Sequence, residues 1–229
     1  MSHAGPGNAT DRAKALAQQA ASARAGIARA GIPPATNTKA VTPQAVYPHD
    51  AAGLGEGSAV QRPAVVLVGP PGSGKTSVGA AIARLTGLSL RDVDADVEKQ
   101  AGKSISEIFI EDGEPHFRGL ERHAVQAGLK EHSGVLSLGG GAILAAETRT
   151  ALAGHAVVFL TLSMATGVRR TGLASNRPLL AGLNPRATYK ALLEARMPLY
   201  REVARYEFGT DHLSVTEVAR MIIEKLELQ

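Results

Sequence analysis

The apolar run Ala64-Val65-Val66-Leu67-Val68 passes directly into Gly69-Pro70-Pro71-Gly72-Ser73-Gly74-Lys75-Thr76, and a helical pattern begins near Lys75. Strand, glycine-rich loop and helix in that order form the unit that wraps a phosphate chain. Glycines let consecutive backbone N–H groups curl around an anion without Cβ clashes. The helix that follows aims its unsatisfied N–H groups and the positive end of its dipole at the same place. Lys75 is then the cation for the β- and γ-phosphates, and the Thr76 hydroxyl is a ligand for Mg²⁺. An incidental glycine-rich turn would not need the whole pattern between a strand and a helix, so the chain is read as binding a nucleoside triphosphate.

From Ala64 onward short apolar runs alternate with helical segments, the pattern of an α/β domain. The expected strands are Ala64–Val68, Leu88–Val93, Gly134–Leu138, Ala156–Leu162 and Tyr206–Gly209. Helical segments are expected from the phosphate loop to Leu85, at Glu114–Glu131, Ala146–Ala153, Ala165–Arg170, Pro185–Ala204 and Ser214–Leu226. A further helix opens at the capping box Ser104-Ile105-Ser106-Glu107. Such an order implies a mostly parallel sheet covered by helices on both faces, with ligands at the carboxyl ends of its strands. Aromatic residues make up only 3% of the chain and Trp is absent, so the core is built from Ala, Val, Leu and Ile.

Residues 1–62 read differently: Ala, Pro, Gly, Thr and Gln dominate, and large apolar residues are almost missing. The stretch Thr10–Ala30 has the alanine content of a helix, but methyl groups bury too little area to dock it firmly. Ile32-Pro33-Pro34 ends it, and the rest reads as linker. The expectation is a disordered N-terminal extension (1–62) and one catalytic domain (63–229). The net charge of +4 comes from interleaved rather than clustered charges, which suits small anionic ligands and does not call for nucleic acid. Without cysteine there is no disulfide, thiolate nucleophile or Cys-based metal site. No apolar run reaches the length of a membrane span and no secretory leader is legible, so a cytoplasmic protein is expected.

The polar clusters fall just after the expected strands. Asp92 and Asp94 close the second strand, Gly139-Gly140-Gly141 follow the third, and one crevice can hold them with the phosphate loop. A phosphate cradle, two carboxylates and several arginines are the inventory for phosphoryl transfer to a small acceptor. Arg118 and Glu121 stand three apart on one helical face, so the carboxylate can orient the guanidinium. On general grounds Arg118 and Arg196 are equally readable as solvated helix-face residues, and Asp94 as a helix cap.

These stretches resemble the shikimate kinases of the P-loop kinase superfamily, which includes the nucleoside monophosphate kinases. The resemblance rests on Gly69–Thr76, Asp92-Val93-Asp94, Asp112-Gly113-Glu114, Phe117-Arg118-Gly119-Leu120-Glu121, Leu138–Ala142, Arg177-Pro178-Leu179-Leu180 and Arg196-Met197-Pro198-Leu199-Tyr200. It implies a three-layer P-loop fold with a five-stranded parallel sheet and a lid loop at 172–184. It also implies transfer of the γ-phosphoryl group of ATP to the 3-hydroxyl of shikimate, by a monomer that engages neither nucleic acid nor membrane.

By the same resemblance, Gly72, Ser73, Gly74, Lys75, Thr76 and Ser77 hold the ATP phosphates, and Arg170 lies against the adenine. Thr76 and Asp92 hold Mg²⁺. Asp94 receives the acceptor hydroxyl, Arg118 and Arg196 clamp its carboxylate, and Gly139, Gly140 and Gly141 let the ring approach the backbone. Lys75, Asp94 and Arg177 are the expected catalytic groups, Arg177 from the lid. Phe109 and Phe117 are open between pocket wall and core, and no contacts are carried onto Thr210-Asp211-His212, where the pattern is weak. A different small-molecule P-loop kinase and a non-catalytic nucleotide-binding module are the competing readings. The paired arginines speak against a nucleotide acceptor, and the presence of Lys75, Thr76 and Asp94 speaks against a dead module.

Overall fold

Val65 to Val68 is the central strand of the sheet, and all of its residues are buried. Val66 and Val68 point into the core on one face of the sheet, Val65 and Leu67 into the core on the other. That is the period-two consequence of a strand covered on both sides. The computed structural model describes residues 62–171 and 185–229. The expectations for the N-terminal extension (residues 1–61) and for the lid with Arg177 lie outside the described residues.

The strands are β1 (Val65–Val68), β2 (Leu90–Asp92), β3 (Val135–Ser137), β4 (Val157–Thr161) and β5 (Tyr206–Gly209). They form one five-stranded sheet in the order β2-β3-β1-β4-β5, with every pairing parallel. The helices are α1 (Lys75–Thr86), α2 (Val93–Ala101), α3 (Ile105–Glu111), α4 (Glu114–Glu131), α5 (Ala146–Leu152), α6 (Met164–Thr171), α7 (Pro185–Val203) and α8 (Val215–Leu226). α1 and α8 cover one face through Val78, Ile82, Val218 and Ile222. The other face packs on Val97, Ile108, Val125, Leu152 and Tyr200 from α2, α3, α4, α5 and α7. β1 lies between β3 and β4, so the chain leaves toward β2 on one side and toward β4 on the other. The crevice of a parallel sheet opens at such a reversal, beyond the strand ends.

β2 is shorter than the expected Leu88–Val93, for a reason visible in its last residue. Asp92 is the N-cap of α2, its carboxylate accepting the Asp94 N–H at 3.0 Å, so Val93 already belongs to the helix. The cap role foreseen as the alternative for Asp94 therefore falls to Asp92. The capping box at Ser104 is formed in both directions with Glu107, and a second one, Ser214 with Glu217, starts α8. α4 spans Glu114–Glu131, as its pattern indicates. Among the described residues no helix is long and apolar enough to cross a membrane.

Candidate active site

The loop between β1 and α1 is held open by glycines with positive φ, 82° at Gly72 and 88° at Gly74. Gly74 is the N-cap of α1, and among the described residues no side chain caps that helix. Its first N–H groups are thus left for an anion, which is what a phosphate cradle requires. Lys75 Nζ donates to Gly69 O at 2.9 Å and Pro70 O at 3.3 Å, folded back along the loop it would share with a phosphate. The Ser73 hydroxyl is buried and has no hydrogen-bond partner among the described residues. Beside the loop lies a cleft of ≈ 480 Å³, lined by Gly72 through Val78 and by Asp92, Asp94 and Gly140.

Thr76 Oγ1 donates to Asp92 Oδ2 at 2.8 Å. These two hard oxygen donors fit Mg²⁺, which prefers one or two protein ligands completed by water and phosphate oxygens. Among the described residues no cluster of three or more His, Asp or Glu side chains could hold a metal ion.

On the other side of the cleft the triple glycine turns beneath two arginines. Arg118 is braced twice on α4: Nη1 donates to Glu121 Oε2 at 2.6 Å, and Nη2 to Glu114 Oε1 at 3.0 Å. Its side chain is 16% exposed and that of Glu121 only 3%. Burial alone would lower the Arg118 pKa, but the charge and hydrogen bond of Glu121, helped by Glu114, raise it above the ordinary value. Arg196, on α7, donates to Gly140 O at 3.0 Å. Burial lowers its pKa, and nearby Arg118 adds to that, against the opposing pull of Tyr200 and Glu121. Two guanidinium groups thus converge on the glycine turn, an arrangement that can receive a carboxylate.

The glycines are required by close approach. A Cβ on Gly139 would stand 2.5 Å from Asp94 Oδ1 and 2.7 Å from Glu121 Oε1, and one on Gly141 would overlap the Arg118 guanidinium. Asp94 thus joins the two halves, lining the phosphate cleft while touching the glycine turn that carries the arginine corner. Arg118 and Arg196 do not line that cleft themselves and adjoin it through Gly139–Gly141. Phe117 is core, 4% exposed, and its ring lies 5.1 Å beneath the Arg118 guanidinium carbon. Phe109 meets it in a tilted pair, ring centroids 4.8 Å apart, and packs against the same core.

Arg170, on α6, donates to Thr210 O at 2.7 Å, Thr210 Oγ1 at 3.1 Å and Gly72 O at 3.3 Å. Thr210, Leu213 and Val215 line the cleft and form a part of it that sequence reasoning left unassigned. Asp211 steadies this segment by accepting from Ser163 N and Oγ, 48 residues away. No local pattern signals such a pairing. The one available hint was two apolar residues, Leu213 and Val215, flanking the exposed cap Ser214.

A cradle for phosphates and a separate corner for a carboxylate, meeting at one aspartate on one sheet edge, are the two halves of a P-loop small-molecule kinase. The model of the family "Shikimate kinase" matches residues 71–227. The shikimate kinase of Saccharopolyspora erythraea is 56% identical over 164 residues, 72% of this chain and 94% of that one. That of Salinispora arenicola is 57% identical over 157 residues, 69% and 93% of the two chains. Among solved structures, shikimate kinase from Acinetobacter baumannii in complex with shikimate superposes with a TM-score of 0.70 at 36% identity, covering 73% of this chain and 93% of that one. The chain belongs to the shikimate kinase family and is an ATP-dependent kinase.

Proposed function

We propose that this chain transfers the γ-phosphoryl group of Mg·ATP to the 3-hydroxyl of shikimate, giving shikimate 3-phosphate and ADP. The observation that carries the reading is the Arg118–Glu121–Arg196 corner on the triple glycine, one residue's reach from the phosphate cleft through Asp94. It suits a small acceptor that carries both a carboxylate and a hydroxyl.

In this reading the loop N–H groups and the N-terminus of α1 bind the phosphates, and Lys75 exchanges its loop carbonyls for phosphate oxygens. Thr76 and Asp92 hold Mg²⁺, which when bound neutralises phosphate charge. Arg118 and Arg196 bind the shikimate carboxylate and fix the ring. Asp94 accepts the hydrogen bond of the 3-hydroxyl and turns its oxygen toward phosphorus. As that oxygen bonds to the γ-phosphorus, the bond to the bridging oxygen breaks and ADP leaves with its electron pair. The hydroxyl proton passes to Asp94 and on to solvent. Arg177, in the segment outside the described residues, serves as a further cation for the γ-phosphoryl group. Arg170, with N–H groups spent on Thr210 and Gly72, offers its planar face to the adenine in the part of the cleft that Leu213 and Val215 also line.

The test is ADP release from Mg·ATP with shikimate, gluconate or a nucleoside monophosphate as acceptor. Shikimate-dependent release is expected; release with either of the others and none with shikimate would reject the reading. Within it, Arg196→Lys keeps the charge but loses the fork, so the KM for shikimate should rise roughly tenfold while the KM for ATP holds. Equal changes in both constants would place Arg196 outside the acceptor site.

A further inference from the structure

The carbonyl groups of the phosphate loop are held one by one. Lys75 takes Gly69 O and Pro70 O, and Arg170 takes Gly72 O. Pro71 O accepts from Tyr189 Oη at 2.9 Å. Tyr189 sits near the start of α7, 118 residues along the chain, and is 1% exposed. Its ring rests on Gly167 of α6, where any Cβ would overlap it. A tyrosine hydroxyl buried this deeply needs a partner, and here the partner is a carbonyl of the loop rather than of a helix or strand.

That choice has a geometric consequence. A trans peptide unit is planar, so the carbonyl of Pro71 and the N–H of Gly72 point in opposite directions. Anchoring Pro71 O on Tyr189 therefore turns the Gly72 N–H away from α7. Gly72 lines the phosphate cleft, and its φ of 82° belongs to a residue whose backbone turns freely unless something outside it holds the peptide.

We propose that Tyr189 is a positioning residue of the nucleotide site, its hydroxyl fixing the Pro71–Gly72 peptide so that the Gly72 N–H faces the bound phosphates. The proposal rests on the reading of this cleft as the ATP site. Arg196 and Tyr200 follow seven and eleven residues later, on the same face of α7 as Tyr189. Both donate to Gly140 O, at 3.0 and 2.5 Å. One helix thereby ties down the donor loop at its start and the acceptor turn two to three turns on. The donor loop and the acceptor turn thus hang on one helix rather than on two independent elements.

Tyr189→Phe tests this in the full chain, since it keeps the ring on Gly167 and removes only the hydroxyl. Loss of one neutral hydrogen bond should raise the dissociation constants of ADP and of inorganic tripolyphosphate roughly 3- to 10-fold by calorimetry, and the KM for ATP by a similar factor. The KM for shikimate should stay within about twofold, because the acceptor corner hangs on Arg196 and Tyr200 instead. Tripolyphosphate binding unchanged by the substitution would overturn the proposal. So would a parallel rise in the KM values of ATP and shikimate, the mark of a packing residue that loosens the whole site. Tripolyphosphate needs no acceptor, so a parent protein that binds it yet leaves shikimate untouched refutes the function proposed above while the comparison of Tyr189 with Phe still decides this one.

Discussion

Asp94→Asn is expected to lower kcat by roughly 10²- to 10⁴-fold, the span associated with a positioned acid–base group, and to leave the dissociation constant of ATP close to that of the parent. The split follows from where each function is anchored. In the proposed reading nucleotide affinity resides in the loop N–H groups, Lys75 and the Thr76–Asp92 pair, none of which is altered. The backbone at Asp94 is fixed by its own N–H on Asp92, so the amide side chain would occupy the same place against Gly139. What is lost is the charge that draws the acceptor hydroxyl into line and receives its proton. Single-turnover rates with saturating ATP and shikimate measure the effect directly. A rate within about threefold of the parent would remove Asp94 from the transfer step, since acid–base assistance is worth far more than that.

The donor half of the site was legible in the sequence because its chemistry is local. Gly69 to Thr76 is contiguous, its glycines report backbone angles, and its flanking strand and helix have distinct periods. The acceptor half was legible only through family resemblance. Arg118 and Arg196 are 78 residues apart, and nothing in their neighbours distinguishes them from solvated helix arginines until both are seen at the glycine turn. Two groups of residues escaped both routes. Thr210, Leu213 and Val215 depend on Arg170 and on the Asp211–Ser163 link for their place in the cleft. Tyr189 looks in sequence like one more apolar helix position, and only its partner at Pro71 marks it otherwise. Element ends moved where a side chain competed with the strand pattern, as at Asp92, whose cap begins α2 one residue before the expected end of β2.

Glu121→Ala is expected to destabilise the domain by about 3 kcal/mol, which for a protein of this size lowers Tm by roughly 6–12 °C. Glu121 is 3% exposed and accepts the shortest bond made by Arg118. It also opposes the burial that disfavours charge on Arg196. Without it, two guanidinium groups face one glycine turn with Glu114 as the nearest acidic partner, and Glu114 is 44% exposed and correspondingly screened. The remaining partner and the residual exposure of Arg118 keep the loss near the low end of the range for breaking a buried pair. Glu121→Gln separates the two things the carboxylate does. An amide oxygen can still accept the Arg118 N–H, so if Glu121 only orients that side chain, the Gln variant should retain the parent Tm. If neutralising the arginine pair is its main work, Gln should fall nearly as far as Ala, and that is the outcome the geometry favours. In both variants the KM for shikimate should rise while that for ATP holds, because the disturbance lies beyond Gly139 on the acceptor side. Thermal melts of the Ala variant within about 2 °C of the parent would mean that the arginine corner is not held by a buried charge pair at all.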